Sequence, residues 1–230
     1  LMSASLWHRL GHPTNEVLHS VLSSSQITYK PDINKHVCSH CLRDKMSRHV
    51  FDSRTVRSGQ PFERISSAVW GPSSVVLIEG YKYYVSFIDE CTKFKWIFPL
   101  IYKSQVLDVL EKFYAFIQNH FQAVPKFFQS DEGGEYMSLA FKRFLESKGV
   151  VHLVSYPYTP QQNGTAERKH RHILETAVTM LSTTHLPQNF WFHACAHAAF
   201  LINRMPCKSL ELQSPFFKLF GIWDIRLPLS

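Results

Sequence analysis

In Lys126-Phe127-Phe128-Gln129-Ser130-Asp131-Glu132-Gly133-Gly134-Glu135-Tyr136, an apolar run ends in an acid and then in two glycines. The run suits a short buried strand, the paired glycines interrupt it, and Asp131 is left as a carboxylate at the strand's end. A second acid, Glu167, stands beyond the intervening residues 132–166 and opens a basic helix. Ahead of that helix runs Tyr156-Pro157-Tyr158-Thr159-Pro160-Gln161-Gln162-Asn163-Gly164, rich in residues that hold unusual backbone angles. Taken singly, Asp131 could cap a turn and Glu167 could complement a helix macrodipole. Taken with their surrounding strings, the two acids read as oxygen donors for hard divalent cations, the donor type such ions require.

Working outward, three strands are expected upstream: Arg64 to Val69, Lys82 to Asp89, and Lys93 to Pro99, the last two joined through Glu90-Cys91-Thr92 as a hairpin. Val106, Leu107, Leu110, Phe113, Tyr114 and Ile117 recur at helical spacing behind Ser104 as the expected N-cap. The Lys126 to Asp131 strand follows, then a helix from the N-cap Ser138 to Lys148, stopped by Gly149, and a fifth strand from Val150 to Ser155. Two further helices, Ala166 to Leu181 and Gln188 to Asn203, close this part of the chain. Strands alternating with helices after a hairpin describe an α/β fold, a mixed five-stranded sheet with helices on both faces.

The chain has 230 residues, 45% of them hydrophobic, enough for one medium domain and a small one. Its 25 Lys and Arg outnumber 18 Asp and Glu, for a formal net charge of +7 and a pI of about 9.2, a balance that favours phosphate-rich partners. No run of 18 apolar residues indicates a membrane span. The opening Leu1-Met2-Ser3-Ala4-Ser5 carries no signal pattern, and the chain reads as a piece of a longer polyprotein. Five scattered cysteines suit a reducing, intracellular compartment.

Two of those cysteines, Cys38 and Cys41, form a Cys-x-x-Cys pair, while His8 and His12 lie four apart on one helical face. Together they supply the ligands of a closed tetrahedral zinc site, with His36 and His40 as competing ligands. Residues 1–50 hold too few apolar side chains to fold alone, so metal would supply the missing free energy. A redox role for the cysteine pair and plain surface histidines are the alternative readings. His193 and His197 are also four apart, but with no cysteine or acid beside them they read as an ordinary helix face.

From Leu6 to about Gly221 the chain resembles the integrases of copia-type LTR retrotransposons, on the strength of the His-His-Cys-Cys module, Val69-Trp70-Gly71-Pro72, Ser130 to Tyr136 and Pro160 to Arg168. The resemblance implies a ribonuclease H-like core, preceded by a small helical zinc domain, with domains at 1–50 (zinc-binding), 51–61 (linker), 62–204 (catalytic core) and 205–230 (tail). It further implies DNA integration by 3′ end processing and strand transfer, with Asp131 and Glu167 holding Mg2+ or Mn2+. In that family the first acid of a triad precedes Val-Trp-Gly-Pro; here Ala68 stands in that place. Alanine offers no metal ligand, so weak metal binding and impaired catalysis are expected, unless Asp89 substitutes from the next strand.

The resemblance also places Asn163 and Gly164 over DNA ends, with Arg168, Lys169 and Arg171 as phosphate contacts. Arg171 lies one turn beyond Glu167; a solvated basic face is the plainer reading of that run. Homo-oligomerisation, and location in the nucleus and in a cytoplasmic virus-like particle, follow from the same resemblance. A non-catalytic DNA-binding or oligomerisation module stays open, because Ala68 favours it. A ribonuclease H-type hydrolase finds no matching acid spacing.

Overall fold

The computed structural model describes residues 15–24, 58–75, 77, 79–155 and 160–222, the description being of the backbone alone at 160–169 and at five positions of 15–24. His8, His12, Cys38 and Cys41 lie outside the described residues. In chain order the elements are α1 (Asn15–Ser24), β1 (Arg64–Trp70), β2 (Tyr83–Asp89), β3 (Lys95–Leu100), α2 (Val106–Phe121), β4 (Phe127–Ser130), α3 (Gly134–Met137), α4 (Leu139–Ser147), β5 (Val151–Val154), α5 (Pro160–Thr184), α6 (Trp191–Arg204) and α7 (Pro215–Phe220). The chain divides into two compact units, residues 49–171 and residues 1–48 with 172–230.

In the 49–171 unit, five strands form one mixed sheet in the order β3-β2-β1-β4-β5. β2 runs antiparallel to both β1 and β3, whereas β1, β4 and β5 are parallel. Every strand falls within two residues of its sequence expectation at either end. Alternation along the strands separates two faces. One carries Ile65, Ser67, Phe87 and Phe128 and is covered by α2 and α4. There Phe87 stacks on Phe113 at 4.6 Å and 17°, Phe113 meets Trp96 at 5.1 Å, and Phe128 meets Phe141 at 5.6 Å. The opposite face carries Ser66, Ala68, Trp70, Tyr84 and Ser86, and α5 meets it at His170, whose ring is 4.9 Å from that of Tyr84.

Three local details differ from the sequence expectation. Ser104 does not cap α2, whose N-cap residue Gln105 makes no side-chain capping bond to the helix; Ser104 lies inside the 3-10 turn Lys103–Gln105, closed by Gln105 Oε1 accepting from the Ile101 and Tyr102 amides at 2.8 and 3.0 Å. α5 begins at Pro160 rather than Ala166. Proline is well suited to a helix's first turn and the glutamines that follow are good helix formers, so the turn-rich stretch ends earlier than its composition suggests. A single turn, α3, forms inside what reads as a glycine loop. By contrast Ser138 caps α4 as expected, accepting from the Phe141 amide at 3.3 Å, and Gly149 ends it at a φ of +67°.

Gly71, in the Val-Trp-Gly-Pro string, sits at a φ of +123°, and a Cβ there would lie 2.6 Å from the Lys82 carbonyl oxygen. No other residue fits that approach of β1's exit to β2's entry.

The other unit is helical where it is described. α6 buries Trp191, Ala194, Cys195, Ala198, Leu201 and Ile202 along one stripe. The Arg204 guanidinium lies 3.6 Å from the Phe200 ring centroid and 4.5 Å from that of Phe216 on α7. α7, capped by Ser214, gives structure to part of the expected tail. His197 stacks on Phe200 at 6.0 Å and His193 is exposed, as a packing face requires. No described helix is long and apolar enough to cross a membrane.

Phe87, fully buried, touches Phe98, Phe113 and Phe128. Phe87→Ala should lower unfolding free energy by about 3 to 5 kcal/mol in urea denaturation.

Candidate active site at the carboxyl edge of the sheet

Parallel pairing aligns β1 with β4 as Arg64↔Phe127, Ile65↔Phe128 and Ser66↔Gln129. Continued for two residues beyond the paired stretch, that register sets Ala68 level with Asp131. Side-chain alternation puts both on the face opposite α2 and α4, at the carboxyl ends of two neighbouring strands. Open α/β sheets place ligands in such positions. Ala68 is partly buried, and its carbonyl accepts from Ser86 Oγ at 3.3 Å.

Glu167 comes to the same face by way of α5. His170, one turn further along that helix, rests against Tyr84, and Tyr84 pairs with Trp70 two residues beyond Ala68. Residues three apart share a helical stripe, so the backbone position of Glu167 is on the side of α5 that meets this face. Asn163, Gly164, Arg168 and Lys169 are helical positions of α5 whose side chains lie outside the description; Arg171 is half-buried.

Asp131 is partly exposed, and its Oδ1 accepts from the Gly133 amide at 3.0 Å, an Asx-type turn that orients the carboxylate. A Cβ at Gly133 would lie 2.9 Å from Asp131 Oδ1 and 3.0 Å from Glu135 Oε1, so the two oxygens are no more than the sum of those distances, about 6 Å, apart. Glu135 is held by Lys103, Nζ to Oε1 3.4 Å. Below them the fully buried Tyr136 hydroxyl is 2.6 Å from Ser67 Oγ, tying α3 to β1 one residue before Ala68. Burial pushes the Tyr136 phenol well above its usual range, and the charges of Asp131 and Glu135 push the same way, so it stays protonated as a hydrogen-bonding brace. Tyr136, Glu135 and Lys103 carry no signal of this role in the sequence, since a turn residue and a one-turn helix show no periodicity.

Asp89 does not stand in for the missing acid. It is fully buried and its carboxylate accepts from the Phe62 amide at 2.9 Å, the Thr92 amide at 2.9 Å and Thr92 Oγ1 at 2.6 Å. In the sheet it pairs with Ile65, on the face opposite Ala68 and three positions away. Its oxygens are committed to the β2–β3 turn. Among the described residues, no three of His, Cys, Asp and Glu cluster as a metal site. The donor chemistry at 131 and 167 suits a hard cation, while position 68 contributes none.

Neither ring nitrogen of His170 has a hydrogen-bond partner among the described residues, and burial pushes its pKa down to about 4. The folded-state value lies below the ordinary 6.5, so as pH falls the unfolded chain takes the proton first. Stability contributed by neutral His170 is present above about pH 6.5 and is lost as pH falls toward 4, amounting to about 3 kcal/mol. The pH dependence of urea unfolding should therefore be steeper between pH 6.5 and 4 for the native chain than for His170→Phe.

The chain is 42% identical over 219 residues to the retrovirus-related Pol polyprotein from transposon RE1 of Arabidopsis thaliana, an alignment that takes in 94% of this chain. It spans 15% of that protein's length. No protein-family model matches. Among solved structures, a chain of the simian T-cell lymphotropic virus intasome, determined in complex with a PP2A regulatory subunit, superposes with a TM-score of 0.55 at 19% identity, over 80% of this chain and 61% of that one. The HTLV-2 integrase catalytic core domain, solved in trimeric form with magnesium, gives a TM-score of 0.50 at 16% identity, over 70% of this chain and 97% of that one. The mixed five-stranded sheet with its helices is the ribonuclease H-like fold that it shares with those two chains.

Proposed function

The chain is homologous to a segment of the retrovirus-related Pol polyproteins of copia-type transposons, and from that premise we propose that it is the integrase region of such a polyprotein, built for metal-assisted strand transfer and impaired by Ala68. The observation that carries this reading is the convergence of positions 68, 131 and 167 on one face at the carboxyl edge of the sheet. Asp131 and Glu167 would hold Mg2+ or Mn2+. Such a cation, when bound, polarises a phosphodiester oxygen and stabilises charge on the attacking and leaving groups.

The chain's own contribution is positional. The Gly133 amide orients Asp131, and the Tyr136–Ser67 contact fixes β1 against α3, so the space between positions 68 and 131 is held by hydrogen bonds. With a methyl group at 68, a third carboxylate is missing and two cations would face each other with less negative charge between them. Arg171, one turn past Glu167, would meet a phosphate, with Asn163, Gly164, Arg168 and Lys169 along the same helix contacting DNA.

The finer organisation is part of the same proposal: zinc on His8, His12, Cys38 and Cys41 within residues 1–50, a linker at 51–61, a core at 62–204 and a tail at 205–230. DNA ends and target are the proposed partners, with assembly as a homo-oligomer and residence in a cytoplasmic particle and the nucleus. One structural relative is an intasome and another a trimer, which supports assembly. A second reading, favoured by Ala68 alone, keeps the fold for DNA binding or oligomerisation without chemistry.

Strand transfer of a labelled duplex bearing the element's ends, in Mn2+, separates these. Ala68→Asp should raise joining by at least a hundredfold over the native chain, and Glu167→Gln in that background should abolish it, given the several kcal/mol a metal supplies. Silence of Ala68→Asp, with DNA binding intact, would favour the binding module. Zinc content should be one ion per chain, and chelation should unfold residues 1–50 as followed by proteolysis.

A further inference from the structure

Four of the sheet's strands, β1, β3, β4 and β5, finish at the same edge, because β1 and β3 both run antiparallel to β2 while β4 and β5 run parallel to β1. The 3-10 turn Lys103–Gln105 leaves β3 at that edge, and Asp131 leaves β4 there. Lys103 is far from Asp131 in sequence and carries no motif, yet the topology brings it to the acid site.

The connection runs through one carboxylate. Lys103 Nζ is 3.4 Å from Glu135 Oε1, and that oxygen and Asp131 Oδ1 lie 3.0 and 2.9 Å from the same point at Gly133. The ammonium is therefore no further from Asp131 Oδ1 than the sum of those three distances, about 9 Å. A separation of that size would set the ammonium beside a backbone phosphate neighbouring the reacting one. Glu135 is buried, its side chain 7% exposed, whereas the Lys103 side chain is 45% exposed. The acid is thus anchored in the protein while the cation faces outward.

Local structure fixes the lysine from behind as well. Gln105 Oε1 binds the Ile101 and Tyr102 amides, so the turn carrying Lys103 is held from within, and the Tyr83 ring centroid is 6.0 Å from the ammonium. An ion pair with one half-exposed member contributes on the order of 0 to 1 kcal/mol, too little to account for the arrangement as a fold stabiliser. Electrostatics supplies the other reason. Asp131, Glu132 and Glu135 crowd the stretch that must approach a polyanion, and their repulsion of phosphate needs a fixed positive charge beside them.

We propose that Lys103, tethered by Glu135, is a phosphate-binding residue that docks the DNA backbone next to Asp131. The inference rests on the integrase reading and adds to it a positioning residue outside the motif-bearing segments. Lys103 contributes charge and orientation; it does not enter the chemistry.

The test is the salt dependence of binding of a short duplex to the full chain, followed by fluorescence anisotropy at constant Mg2+. Lys103→Gln should reduce the slope of log K against log salt by about 0.9, the loss of one phosphate contact, while Lys103→Arg retains it. Thermal melting should be unchanged in both. An unchanged slope in Lys103→Gln overturns the proposal and leaves the integrase reading standing; failure of the native chain to bind DNA at low salt sinks both. A second measurement needs no variant: lysine acetylation read by mass spectrometry should show Lys103 protected by duplex, and equal labelling with and without DNA would count against it.

Discussion

The pairing of β1 with β4 is the constraint on which the rest depends. Its register is set because Ile65 and Phe128 are partners and both enter the core, at 1% and 2% exposure, under α2 and α4. A slip of one residue would turn Phe128 out of that core and carry Asp131 to the wrong face. Aromatic packing thus fixes where the chemistry-bearing residues stand, although Phe87, Phe113 and Phe128 are not themselves part of the site.

That separation explains how the fold coexists with Ala68. Position 68 is on the face away from the aromatic core, and the sheet bonds it makes are backbone bonds plus the Ser86 hydroxyl. Replacing an acid there removes charge from a crowded acidic edge and breaks no contact that holds the sheet. Two aspartates, at the ends of the strands that flank β1, show the same division of labour. Asp89 is fully buried, with both oxygens taken by amides and a hydroxyl of its turn, and serves the fold; Asp131 keeps one oxygen for its turn and stays partly open to solvent. Burial and hydrogen-bond saturation, rather than residue type, separate a structural carboxylate from a candidate ligand.

At the site, positions are secured by small, specific devices. Gly133 leaves room for two carboxylates to approach, the Tyr136–Ser67 contact braces the strand beside them, and His170 against Tyr84 seats the helix bearing Glu167. The last device carries a cost, because an imidazole buried with no hydrogen-bond partner among the described residues ties the seating to neutral pH. The acids themselves gather negative charge at one edge of the sheet, which makes nearby cations, Lys103 among them, part of the site's electrostatics.

Strand positions, the Ser138 cap and the Gly149 stop were legible in the amino-acid sequence, because alternation, capping and glycine punctuation are local and each leaves a pattern within a few residues. The resemblance to integrases singled out position 68 as one where an acid was expected and alanine stands. Where the sequence failed, the cause was competition between local alternatives: a 3-10 turn closed by Gln105 occupies the place where Ser104 was expected to cap a helix, and Pro160 started a helix inside an apparent loop. Only the tertiary structure decided that Asp89 is spent on a turn, that Ala68 stands level with Asp131, and that Glu135 and Lys103 join the site. Those facts depend on strand order and register, which bring together residues far apart in the chain, and no local pattern encodes a distance between them.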